Sequence, residues 1–178
     1  LLMSSTTEHQ DLAIELLKKL IEEQVSVYRR TNLVKSEKFS AIIQKMMNRY
    51  LNGLLTNEEV IQELLHLARD IAAATAEGEQ LGLTAEELAF YDAITKPQAI
   101  KDFYEHEELI AITKELTDLL RKNRTIDWQK KESARAGMRR LVKRLLRKHH
   151  YPPEGMDDAI LTVMSQCEMW TDNVMDIN

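Results

Sequence analysis

The stretch "DWQKKESARAGMRRLVKRLLRKHHYPP", residues 127–153, decides the fold class of this chain. At about 100° per residue, its apolar side chains fall on one side of a helix and its basic side chains on the other. Asp127 is predicted to cap the start of this helix, and Pro152 and Pro153 are predicted to end it. The apolar side comprises Ala134, Met138, Leu141, Val142 and Leu145. The stretch therefore predicts an amphipathic helix that packs one side into a core.

The same period continues on both sides of this stretch. Thr56 with Glu59, and Thr84 with Glu87, have the spacing of capping boxes that open further helices. Pro97 interrupts the pattern, which resumes from residue 100 to residue 119. Only five Gly and three Pro leave little turn chemistry for a β fold. We therefore predict an all-α protein of about seven helices, packed as an irregular helical bundle with no sheet.

The first predicted helix, residues 12–28, has a regular apolar spacing. Leu12, Leu16, Leu20 and Val27 share one face, which we expect to point into the core.

From the residues alone, the best boundary signal is the stretch "AEGEQLG", residues 76–82, although helix–helix loops of this length also occur inside single domains. Because the sequence opens with Leu1 and its first Met is Met3, we expect it to be a piece of a longer polypeptide.

Charge is distributed unevenly along the chain. Residues 1–120 carry 12 Lys or Arg and 21 Asp or Glu, residues 121–150 carry 12 and 2, and residues 151–178 carry none and 6. The total of −5 therefore hides a strongly basic segment. The single cysteine, Cys167, is interpreted as a small buried hydrophobe, and we expect a cytoplasmic location because no signal peptide or long apolar run is visible.

No catalytic constellation is visible. "EHEE", residues 105–108, lacks the two-histidine spacing of a helical zinc site and is interpreted as a solvated acidic face. His149 and His150 are interpreted as complements to a helix C-terminus. The segment is therefore predicted to be non-enzymatic, with no cofactor and no metal of its own.

The basic side of the predicted helix is the candidate binding surface. Its residues are Lys131, Arg135, Arg139, Arg140, Lys143, Arg144, Arg147 and Lys148. Like charges at i, i+4 repel, and Glu132 is the single carboxylate inside the row, so the helix carries a local stability cost. An anionic partner would offset this cost, and arginine suits phosphate. From the residues alone, a nucleic-acid backbone, an acidic protein surface and a merely solvated face remain open.

Three segments together resemble a known family. They are "LTAEELAFYDAI" (83–94), "RKNRTIDWQKKESARAGMRRLVKRLLRKHHYPP" (121–153) and, more weakly, "EEVIQELLHLARDI" (58–71). They are similar to the C-terminal helical region of the motor and restriction subunit of type I restriction-modification enzymes, over roughly residues 35–170. The matching positions are Asp127, Trp128, Glu132, Ser133, Arg135, Ala136, Arg139, Lys143, Arg144, Leu145, Leu146, Arg147, Tyr151, Pro152 and Pro153. His150 departs from the pattern, because a glycine is common before the tyrosine.

The resemblance implies an all-helical, non-catalytic region of a large subunit. It implies that residues 1–34 are an N-terminal helix leading from an upstream domain and that residues 35–178 are the C-terminal helical domain of the subunit. The parent subunit is expected to be an ATP-driven translocase of double-stranded DNA with an attached nuclease, so ATP and Mg²⁺ are expected in upstream domains. This region is expected to dock onto the methyltransferase and specificity subunits and to contact the double-stranded DNA backbone. Asp127, Trp128, Tyr151, Pro152 and Pro153 are interpreted as structural residues.

Two alternatives remain open. In the first, the basic row faces acidic protein patches of the methyltransferase and touches no DNA. In the second, the chain is a free-standing helical DNA-binding regulator, which predicts a symmetric dimer. Arg135 is ambiguous, because it lies near the apolar edge and can pair with Glu132 or with a core carboxylate such as Asp92.

Overall fold

A computed structural model describes the backbone of residues 2–175 and the side chains of residues 6–172. The α-helices are α1 (Leu2–Thr31), α2 (Leu33–Leu51), α3 (Asn57–Leu81), α4 (Ala85–Ile94), α5 (Gln98–Phe103), α6 (His106–Asn123), α7 (Glu132–Lys148) and α8 (Pro153–Met175). A single 3₁₀ turn, Trp128–Lys130, precedes α7. Within the described part of the chain there is no strand, which confirms the predicted all-α class.

The chain forms two compact units. Unit 1 comprises Leu1–Arg29 and Lys35–Glu77, and unit 2 comprises Arg30–Val34 and Gly78–Asn178. The chain passes between the units at three points, and the third, between Glu77 and Gly78, falls inside the stretch 76–82. The division of the sequence into 1–34 and 35–178 stays a prediction.

Unit 1 has a core built from α1, α2 and α3. The core side chains are Ile14, Ile21, Val25, Phe39, Ile43, Met46, Leu55, Val60, Leu64, Leu67 and Ile71. The predicted capping box opens α3, since the Glu59 amide donates to Thr56 Oγ1 at 3.1 Å and the Thr56 amide donates to Glu59 Oε1 at 3.3 Å. Gly53, with φ +73°, takes the left-handed conformation that follows α2.

The predicted inward face of α1 was wrong. Leu12, Leu16, Leu20 and Val27 are exposed, and Ile14, Ile21 and Val25 face the core instead. Both sets have helical spacing, so the period alone could not choose between them.

Unit 2 is organised around α4, which contacts α6 and α8. Leu88 through Ile94 are all buried, as expected for a helix covered on every side. Its capping box is present, with the Glu87 amide donating to Thr84 Oγ1 at 3.1 Å and the Thr84 amide to Glu87 Oε1 at 2.9 Å. Pro97 separates α4 from the short α5, as predicted, whereas the apolar pattern from 100 to 119 proved to be two helices that break at Tyr104.

The junction between α1 and α2 belongs to unit 2. Asn32 is buried and donates through Nδ2 to Asp92 Oδ2 at 2.8 Å. Gln166 accepts from the Leu33 amide at 2.7 Å and donates to the Thr31 carbonyl at 2.9 Å. A fully buried amide side chain on α8 thus satisfies the backbone where the helix is broken.

Candidate nucleic-acid interface on the basic helix

The orientation of α7 is set by its apolar side. Met138, Val142, Leu145 and Leu146 are buried and join the core of unit 2, where α7 contacts α6, α8 and the 3₁₀ turn. Because this side is fixed in the core, the opposite side of the helix faces solvent. The predicted amphipathic helix is therefore present, although it begins at Glu132, five residues after Asp127.

The start of α7 differs from the prediction. Asp127 has φ 56° and opens the 3₁₀ turn without a side-chain cap bond, so it does not cap α7. Its carboxylate lies 3.7 Å from Lys130 Nζ. Lys131 holds the cap position of α7, again without a side-chain cap bond. The residue that anchors the start of α7 is Trp128, which is fully buried and donates through Nε1 to Thr171 Oγ1 at 3.2 Å.

The end of α7 is a Schellman motif. The Tyr151 amide donates to the Leu146 carbonyl at 2.9 Å, and the His150 amide donates to the Arg147 carbonyl at 3.0 Å. His150 has φ 62°, the left-handed conformation in which glycine is favoured. The family pattern commonly has glycine at this position, and the left-handed backbone explains why glycine is preferred there.

Tyr151 fixes this end to the core. Its hydroxyl donates to the Ile94 carbonyl at 2.7 Å, and burial raises the pKa of Tyr151 to about 12. Pro153 does not merely end α7 but is the first residue of α8, where the missing N–H costs no helical hydrogen bond.

Three of the eight predicted cations are neutralised within the domain. Arg135 Nη2 lies 3.2 Å from Glu168, Arg139 Nη2 lies 2.6 Å from Glu132, and Lys148 Nζ lies 2.9 Å from Glu115. The hydrogen bond from Arg139 lowers the pKa of Glu132. Arg135 is thus paired inside the protein, as one of its two interpretations held, but with Glu168 of α8 and not with Glu132 or Asp92.

The remaining cations of the row have no carboxylate within 4.0 Å in the described part of the chain. They are Lys131, Arg140, Lys143, Arg144 and Arg147. The last four, here called the basic quartet, fall within an arc of about 100° opposite the buried side of α7. Arg140, Arg144 and Arg147 are exposed and Lys143 is half-buried. The structure therefore concentrates the uncompensated charge on the outermost strip of the helix.

The spacing of the basic quartet suits a duplex backbone. From Arg140 to Arg147 the helix rises by about 10 Å. A duplex carries one phosphate per ~3.4 Å of axis on each strand, so this span matches about three phosphates. The α7 sequence contains no Asn or Gln, so it lacks the amides that read adenine edges.

Glu115 of α6 contacts the C-terminal end of α7. It accepts hydrogen bonds from Lys148 at 2.9 Å and pairs with His149 Nε2 at 2.7 Å, and these bonds lower the pKa of the Glu115 carboxyl. His149 is therefore held by a carboxylate on a neighbouring helix, a contact that no local sequence pattern predicts. Glu115 and Glu168 each neutralise one cation of the row, and each lies 33 residues away from its basic partner along the chain.

The rest of the described region contains no other candidate centre. Among residues 6–172 no group of three His, Cys, Asp or Glu side chains is arranged to hold a metal ion. None of the described helices is both long and apolar enough to cross a membrane. Cys167 is fully buried, which raises the pKa of its thiol to about 12 and confirms its interpretation as a core side chain.

Comparison with known proteins identifies the family. Residues 1–173 match the family model described as "Type I restriction enzyme HindI endonuclease subunit-like, C-terminal". The chain belongs to this family. The resemblance stated from the motif 127–153 is thereby confirmed over nearly the whole chain.

Curated relatives agree with the family model. The type I restriction enzyme HindI endonuclease subunit of Haemophilus influenzae is 38 % identical over 159 residues, which cover 89 % of this chain and 15 % of the relative. The putative type I restriction enzyme MjaIXP endonuclease subunit of Methanocaldococcus jannaschii is 31 % identical over 155 residues, covering 86 % of this chain and 14 % of the relative. The chain thus spans about one seventh of the length of the relatives it matches. No solved structure matches it.

Proposed function

We propose that this chain is a non-catalytic C-terminal domain of a type I restriction endonuclease subunit that holds double-stranded DNA by its phosphate backbone through the basic quartet. It also contributes to assembly with the methyltransferase and specificity subunits of the same system. The parent subunit supplies the nuclease and ATP-driven motor, with its ATP and Mg²⁺, from other domains, and the complex works in the cytoplasm.

The observation that carries this proposal is the separation of paired from unpaired cations. Acidic side chains within the domain neutralise Arg135, Arg139 and Lys148 at the edges of α7. Arg140, Lys143, Arg144 and Arg147 are left together on its outer strip, where each i, i+3 or i, i+4 neighbour repels by a few tenths of a kcal/mol. A polyanion bound at this surface would offset the repulsion between the cations, and the counterions released from the polyanion would favour binding.

The chemistry favours backbone contact over base reading. Three of the four quartet residues are arginines, whose planar guanidinium groups form bidentate bonds with phosphate. With no Asn or Gln on α7, the helix lacks the usual partners of adenine, so base contacts are limited to guanine through arginine and most contacts are expected to be to the backbone. This suits a subunit whose DNA target is chosen elsewhere in the complex.

Equilibrium binding to two unrelated 20-base-pair duplexes, followed by fluorescence anisotropy from low to physiological salt, tests this proposal. We expect equal affinities, with log K falling against log salt at a slope of about −3 to −4 for three or four phosphate contacts. Strong preference for one duplex would favour a sequence-specific regulator. No binding to either duplex at low salt would overturn the DNA contact and leave an acidic protein surface as the partner. A variant with Arg140, Lys143, Arg144 and Arg147 changed to Gln would then be tested for loss of assembly with the methyltransferase and specificity subunits.

A further inference from the structure

Helix α1 has two apolar faces, of which its own unit covers one. Ile14, Ile21 and Val25 are buried in the core of unit 1. On the other side, four apolar residues form what is here called the α1 stripe. They are Leu12, Leu16, Leu20 and Val27, with exposed fractions of 55 %, 53 %, 57 % and 60 %. At about 100° per residue the centres of the two faces lie nearly opposite each other, so the stripe is not the edge of the buried face.

We propose that the α1 stripe docks against the portion of the same endonuclease subunit that precedes this domain. This inference rests on the proposed placement of the chain at the C-terminal end of that subunit. It concerns a surface in unit 1, separate from the basic quartet in unit 2.

The length of the relatives supports an occupant from the same polypeptide. The matched regions cover 15 % and 14 % of the two curated relatives, and the family model describes a C-terminal region. In such proteins most of the chain precedes the part that corresponds to α1. A preceding segment joined directly to α1 acts at an effective concentration in the millimolar range, so even a small apolar patch is enough for docking.

The size of the stripe disfavours a second copy. Each half-exposed Leu or Val offers on the order of 50–100 Å² of apolar surface. A self-pair of stripes would therefore bury roughly 400–800 Å², below the ~1,200 Å² at which specific and stable interfaces begin. The patch is the right size for an intramolecular contact and too small for a stable dimer.

The charges beside the stripe are mixed in sign. Glu8, Glu15 and Glu22 recur every seven residues along one edge and are exposed, but Glu22 pairs with Lys18 at 4.0 Å and the exposed Lys19 lies between this edge and the stripe. Glu23 lies on the stripe itself, between Leu20 and Val27. We therefore expect the docking surface to be an apolar groove with polar partners for Lys19 and Glu23.

Thiol reactivity gives a direct test, because the native Cys167 is fully buried with its pKa raised to about 12. Leu16→Cys places a reactive thiol in the stripe, and Leu54→Cys is a matched control at an exposed leucine outside α1. Each variant is alkylated with iodoacetamide, both in the 178-residue chain and in the whole endonuclease subunit. Peptide mass spectrometry then gives the rate at each position.

In the whole subunit we expect alkylation at position 16 to slow at least tenfold relative to the 178-residue chain, and alkylation at position 54 to change less than twofold. Equal rates at position 16 in the two proteins would overturn the proposal. Protection that already appears in the 178-residue chain and grows with its concentration would assign the stripe to a second copy and overturn it as well. DNA binding by the 178-residue chain is measured separately, so failure of this inference and failure of the proposed function are distinguishable.

Discussion

Arg135 Nη2 lies 3.2 Å from Glu168 Oε1 and joins the basic helix α7 to the last helix, α8. This cation of the basic row is thus a structural element of unit 2. Its Nη1 also donates to the Gln129 carbonyl at 3.4 Å, close to the 3₁₀ turn that precedes α7. The position of a cation in the row therefore does not predict its role, because a cation that pairs with a carboxylate of the same protein is not available to a partner.

Replacing Arg135 is expected to affect stability more than DNA binding. Arg135→Gln leaves the partly buried Glu168 without its cation, which should lower the free energy of unfolding by about 1 kcal/mol. Urea unfolding measures this change, with Lys143→Gln as the control because Lys143 has no carboxylate partner in the described chain. A Lys143→Gln variant that loses as much stability as Arg135→Gln would contradict the assignment of different roles.

The quartet residues are expected to lower stability at low salt. Changing Arg140, Lys143, Arg144 and Arg147 to Gln removes the four i, i+3 or i, i+4 repulsions within the quartet, and those with Arg139 and Lys148, while keeping a good helix former at each site. The free energy of unfolding should rise by about 1 kcal/mol at low ionic strength, and the gain should shrink in high salt as the charges are screened. Chemical denaturation at both ionic strengths checks this, and a loss of stability in the variant would refute the proposed repulsion.

His150 is expected to strain the end of α7. Its φ of 62° costs a residue with a side chain more than it costs glycine, so His150→Gly should stabilise the domain by about 0.5–1 kcal/mol. His150→Ala is the matched control, because alanine keeps the backbone penalty and removes the imidazole. Thermal unfolding of the two variants separates the causes, and equal gains would show that the backbone conformation is not responsible.

Glu115 is expected to make stability fall in acid. Hydrogen bonds from Lys148 and His149 lower the pKa of its carboxyl in the folded state. A carboxyl whose folded pKa lies below its unfolded value contributes stability that is present above the unfolded pKa, and this stability is lost as the pH falls through the folded pKa. The contribution should therefore be complete at pH 7 and decline below about pH 4.5.

Glu115→Gln should remove this part of the acid dependence. Urea unfolding gives the free energy of unfolding at pH 7 and at pH 3.5. The loss of this free energy between the two pH values should be smaller in the variant than in the wild type. Glu107→Gln, at an exposed position in the first turn of α6, serves as the control. An equal loss of free energy in Glu115→Gln and in the wild type would show that the contact of Glu115 with Lys148 and His149 has no effect on folding.

Local signals in the sequence predicted most of the fold. The capping boxes at Thr56 and Thr84 and the break at Pro97 are all present, because each depends on residues within a few positions of one another. The helix start at Asp127 was missed because a left-handed residue and a 3₁₀ turn intervene. The inward face of α1 was missed because two apolar patterns share that helix, and only packing against α2 and α3 decides between them.

The candidate site was predicted in outline but not in detail. Periodicity placed the eight cations on one side of a helix, whereas Lys131 lies at the cap position before α7 and Arg135 faces α8. It could not show which were neutralised, because Glu115 and Glu168 approach α7 from helices distant in the sequence. The reduction from eight cations to an outer quartet is therefore a result of tertiary packing.

The most direct test of the central claim is the salt dependence of duplex DNA binding for two variants of equal charge. One variant changes Arg140, Lys143, Arg144 and Arg147 to Gln, and the other changes Lys19, Arg29, Lys45 and Arg69, which are exposed and lie in unit 1, to Gln. We expect the quartet variant to lose most of its affinity at low salt and nearly all of the slope of log K against log salt, while the unit 1 variant keeps a slope close to the wild type's. Equal losses in the two variants would show that net charge, and not the basic quartet, holds the DNA.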